Sequence, residues 1–169
     1  MVDPTDLLRS QIVLAVSALD HLVHELAVAG MLEIFDGSRP PTPAFEKFYV
    51  PLGAYSTAPQ FQISRTSFEA AVRHRHSYLS FQRPDKIADA IRLISTQPLW
   101  DGVSQLVSED VATIKSRINL AVDRRNKIAH EADMDPSYPG ARWPISSRDA
   151  VGVTATIDKV GKSIYQVCK

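Results

Sequence analysis

One cysteine in 169 residues is too few for a disulfide framework or a cysteine-held metal, and a reducing compartment suits the lone Cys168. Net charge is also missing. Nineteen basic residues balance nineteen acidic ones, so the chain as a whole is no polyanion binder. The start, "MVDPTDLLRS", has neither a basic opening nor an apolar signal core, so no secretion signal is expected. No unbroken apolar run approaches the ~18 residues of a bilayer span. A cytoplasmic protein with no membrane partner is the expectation. Sustained apolar–polar alternation with turn pairs is absent, as are internal repeats and low-complexity tracts, so neither strands nor a second domain are called for.

What remains is a composition of 44% hydrophobic and 22% charged residues, enough to bury a core in one domain spanning 1–169. The charge is unevenly placed. Acids dominate from Met1 to Asp36, where Arg9 is the one base, while Arg65–Arg92 and Lys115–Glu131 are richer in bases.

Helical spacing organises the chain. Asp3 caps a long helix from Pro4 to Phe35 whose stripe is Leu8, Ile12, Ala15, Val16, Leu19, Leu22, Val23 and Leu26. The prolines of "DGSRPPTP" end it. In the stretch 44–62, "AFEKFYV" reads as a helical turn or two before Pro51, Gly53 and Pro59 break the pattern. A second helix is expected over Ser64–Phe81, with Phe68, Ala71, Val72 and Leu79 inward. A third follows "RPD" with Ile87, Ala90, Ile91 and Ile94, and "STQPLWDG" interrupts it. Ser108 is read as the cap of a fourth, which runs to Glu131 on Val111, Ile114, Ile118, Ala121 and Val122. Ser146 and Asp149 cap a last helix on Ala150, Val153, Ile157, Val160 and Ile164. The fold class is all-α, an up-and-down bundle of four to five helices.

The stretch that invites chemistry is "DRRNKIAHEAD", Asp123 to Asp133. At ~100° per residue, Ile118, Ala121, Val122, Arg125 and Ala129 share a stripe. Arg125 thus stands where a core residue is expected, with Asn126 and His130 beside it. A guanidinium keeps its charge, so a buried one needs an acid or an anionic ligand. Asp20, His24 or Glu25 on the first helix are candidate structural answers. Elsewhere, "RHRH" (Arg73–His76) is a candidate RNA-binding patch, with a solvated helix face as the plain alternative. His74 and His76, two apart, do not share a face, and His21 and His24 lack an evident third ligand, so no metal site is expected. Trp100 and Trp143 stand beside loops that they are expected to pin.

Arg125-Asn126-Lys127-Ile128-Ala129-His130 resembles the arginine, polar residue, three spacers and histidine of HEPN domains, with the layout of the RiboL-PSP-type branch. The resemblance covers nearly the whole chain in helix layout and six residues in sequence. It implies a homodimeric bundle acting as a metal-independent endoribonuclease without cofactor. The 2′-hydroxyl of RNA attacks the adjacent phosphorus, giving a 2′,3′-cyclic phosphate. On that basis Arg125, Asn126 and His130 are the candidate catalytic residues. Imidazole titrates near neutral pH, which suits His130 as base or acid. Arg125 would hold the phosphate in a fork of two hydrogen bonds, and Asn126 would orient His130 or the ribose. Asp20 and Arg124 are candidate supports; Arg73, Arg75 and Lys127 are candidate RNA contacts. Helical register ranks Arg125 above Arg124 as the functional arginine. A role in bacterial defence or toxin-type growth control, with an antitoxin or defence-system partner, is implied by the resemblance alone. Where some members carry a nucleotide-accepting tyrosine, this chain has Ala132. Two competitors stand: a non-catalytic HEPN module that dimerises and binds RNA or nucleotide, and a plain interaction bundle in which Asp20 answers the arginine.

Overall fold

The computed structural model describes residues 3–55 and 62–169; the expected break at Pro59 lies outside them. Among the described residues the protein is all-α, with seven α-helices, one 3₁₀ turn and no strand. The helices are α1 (Pro4–Phe35), α2 (Pro43–Glu46), α3 (Arg65–His76), α4 (Pro84–Arg92), α5 (Leu99–Val107), α6 (Val111–Glu131) and α7 (Ser147–Cys168), with the 3₁₀ turn at Leu52–Ala54.

Local chemistry sets the ends. The Thr5 amide donates to Asp3 Oδ1 at 2.9 Å, and Pro4 follows the cap. Gly37, at φ 77°, takes the left-handed turn that closes α1. α7 begins with the expected capping box of Ser146 and Asp149. α1 runs through the centre of the bundle, burying Ile12, Val16, Leu19, Val23, Ala27 and Met31. Its most extensive helix partner is α7, then α6, which buries Ile114, Ile118, Ala121 and Val122.

Several expectations need correction. Helix α3 stops at His76, so Leu79 lies outside it and is exposed rather than inward. The segment "STQPLWDG" does not simply interrupt: Leu99–Val107 is a helix of its own, and Gly102 lets it approach α7, since a Cβ there would lie 2.9 Å from Val167. Ser108 does not cap the fourth long helix. It ends α5 in the left-handed region at φ 56°, and Asp110 is the cap, accepting from the Thr113 amide at 2.9 Å. Ala129 is exposed, so the α6 stripe fades before the helix ends. Finally, α1 carries an 18-residue window of mean hydropathy 1.6, long and apolar enough to cross a membrane by length and composition. Counting unbroken apolar runs missed it, because the few charges of α1 are spread thinly; 33% of that window is buried in the bundle.

Candidate functional site

The candidate residues sit on the last two turns of α6, where the helix runs into a loop. The two arginines there have different fates. Arg124 is committed: its Nη2 donates to Asp133 Oδ2 at 2.7 Å and to the Pro144 carbonyl at 3.2 Å. Asp133 is fully buried and takes a second guanidinium. Arg9 Nε donates to the same Oδ2 at 2.7 Å, Nη2 to the Trp143 carbonyl at 2.8 Å, and Nη1 to Thr5 Oγ1 at 2.5 Å.

Arg125 is not committed. Among the described residues its one side-chain hydrogen bond runs from Nη1 to Asn126 Oδ1 at 3.1 Å, and its Nε is buried without a partner. No acid answers it. Asp20, the expected partner, is spent at the α3–α4 junction, accepting from the Phe81 amide at 2.6 Å and from Gln82 Nε2 at 3.0 Å. Glu25 is held elsewhere by a two-pronged pair with Arg73, at 2.7 and 3.1 Å. The two arginines thus differ in their partners: among the described residues Arg124 holds a buried acid and Arg125 holds only Asn126.

His130 is exposed at the end of α6. Helix geometry places it ~40° around the axis from Asn126 and ~140° from Arg125. A single helix thus presents the histidine and amide together and the arginine off to one side. Lys127 Nζ lies 4.8 Å from the centre of the Trp143 ring, a cation–π contact. Trp143 pins its loop to the bundle through this contact and its carbonyl, and Trp100 likewise donates to the Pro84 carbonyl at 3.1 Å. Unpartnered buried polar atoms cluster at this end. Three of the four among the described residues are Arg125 Nε, Asp133 Oδ1 and Trp143 Nε1. Such groups ask for a ligand, a water or a partner chain.

In the "RHRH" segment Arg73, His74 and Arg75 are exposed and His76 is not. Arg73 is clamped by Glu25 and Glu69, which hold its guanidinium firmly charged. Arg75 lies over the Phe48 ring at 5.6 Å. His76 is buried, and burial, helped by nearby His24 and Arg75, pushes its pKa down to about 4. Among the described residues, no group of three acids, histidines or cysteines could hold a metal ion.

Arg9 was missed in the sequence. It carried the same signal that drew attention to Arg125, a charge on an apolar stripe, in register with Ile12, Val16 and Leu19. No protein-family model, curated protein or solved structure matches this chain.

Proposed function

We propose that the chain is a metal-independent endoribonuclease of HEPN type that works as a homodimer in the cytoplasm. One observation carries the reading: Arg125 keeps a half-buried guanidinium with no acid partner among the described residues, bonded to Asn126 on the same last two turns of α6 that carry an exposed histidine. Burying such a charge without an answer is costly, so an anion is its natural complement. The plain interaction bundle required an Arg125–Asp20 pair, and Asp20 is used elsewhere.

In the reaction, the 2′-oxygen of one ribose forms a bond to the adjacent phosphorus as the P–O5′ bond breaks. The 2′-hydroxyl loses its proton to a base, and the departing O5′ gains one from an acid. His130 is suited to either transfer at neutral pH. Arg125 is suited to hold the two non-bridging oxygens while negative charge builds on them. Asn126, four residues from His130, is suited to orient its ring or the ribose. With Arg125 and His130 ~140° apart on one helix, a second copy would supply the missing member from across the interface. Toxin-type growth control or defence, with an antitoxin holding the protein in check, is the setting we propose.

The same angular gap favours a second reading, a dimerisation module that binds RNA or nucleotide without cleaving it. Digestion of total cellular RNA in EDTA by the wild type and by His130→Ala separates the two. Cyclic-phosphate ends made by the wild type and lost in the variant are expected. Silence from a confirmed wild-type dimer would instead support the binding module.

A further inference from the structure

The α6 end is fixed by a side chain near the other end of the sequence. Asp133 receives Arg9, from the second turn of α1, and Arg124, from α6, on a single oxygen, and it does so fully buried. Its backbone is as constrained as its carboxylate. Ala132 and Asp133 both lie in the left-handed region, at φ 51° and 60°, where neither is at ease without support. The Asp133 amide donates to the Lys127 carbonyl at 3.0 Å, and its carbonyl accepts from the Trp143 amide at 2.8 Å. Trp143 then accepts Arg9 on its carbonyl and carries Lys127 on its ring. Every link bears on the stretch Lys127–Asp133, which contains His130. His130 itself has no side-chain bond to hold it among the described residues.

We infer that Arg9 and Asp133 are positioning residues for His130. They act by locking the left-handed exit of α6 against α1, so that the last turn presents the imidazole at one angle. Arg124 belongs to this lock and not to phosphate binding, which leaves Arg125 as the arginine that meets the ligand. The inference rests on the reading of the α6 end as the working site, and its test separates the two.

The test uses Arg9→Lys, which keeps the charge but cannot reach Asp133, Thr5 and the Trp143 carbonyl together. A milder companion is Thr5→Val, which removes only the hydroxyl that Arg9 Nη1 bonds. NMR of histidine-labelled protein reads the lock without any need for cleavage. The His130 ring signals are expected to move or broaden in both variants, while those of exposed His74 on α3 stay in place. RNA cleavage by Arg9→Lys is expected to lose about tenfold or more in kcat, as small misplacements of a reacting group do, with KM within about twofold. Folded variants whose His130 signals match the wild type would overturn the inference. If the wild type does not cleave RNA, the nuclease reading fails and the His130 signals alone decide.

Discussion

Replacing His76 with phenylalanine should flatten the acid dependence of stability between pH 7.5 and 5. His76 is 2% exposed, its ring is edge-on to those of His24, Phe48 and Phe81, and its Nδ1 has no partner among the described residues. The folded protein therefore holds the imidazole neutral, with a pKa of about 4 against 6.5 for a free side chain. A depressed pKa gives stability that is complete above the unfolded value and is lost as pH falls toward the folded one. At 1.36 kcal/mol per unit, the loss from this group is about 2 kcal/mol at pH 5 and about 3 kcal/mol below pH 4. Urea unfolding of wild type and His76→Phe at several pH values measures it. Other titrating groups are common to both proteins and cancel in the difference. The wild type should lose about 2 kcal/mol more than the variant between pH 7.5 and 5. Parallel losses would refute the claim that His76 is held neutral.

The two neighbouring arginines should part company under mutation. Arg124→Ala should destabilise the fold by about 1–3 kcal/mol, because buried Asp133 loses one of its donors, whereas Arg125→Ala should leave thermal stability nearly unchanged while abolishing RNA cleavage or binding. Gly30→Ala would set a Cβ 2.7 Å from Ile94 Cβ, between α1 and the end of α4, and should lower stability by about 1–3 kcal/mol in chemical denaturation. The Cys168 thiol is buried, and burial pushes its pKa up to about 11. Iodoacetamide at pH 8 should therefore label it slowly in the folded protein and rapidly in urea.

The sequence discloses the helices where one apolar stripe packs against one core. α1 and α7 begin where Asp3 and Ser146 predict, because caps act within a few residues of the chain they cap. α5 was hidden because its start is a proline and its interior holds Gly102, both of which read as breaks until Val167 is seen packed on the glycine. Ser108 was misread for a related reason: a serine beside an acid suits a cap, but the left-handed end of α5 falls on the same residue. Helical register put Arg125, not Arg124, on the apolar stripe of α6. It did not reveal their partners, because Asp133, Arg9 and Trp143 are joined by a loop closure that no local pattern encodes. Asp20 illustrates the converse. An acid on the neighbouring helix was the natural answer to Arg125, yet the free amide of Phe81 claims it.

The most extensive helix pair in the bundle joins α1 to α7, the earliest and latest of the described helices to be synthesised. A ribosome therefore releases the most membrane-like stretch of this chain long before its principal cover exists. Until residues 147–168 emerge, the stripe from Ile12 to Met31 can be covered by α3, α4 and α6 but not by α7. Asp133 can receive Arg9 only once α6 and the loop after it have emerged and packed on the first helix.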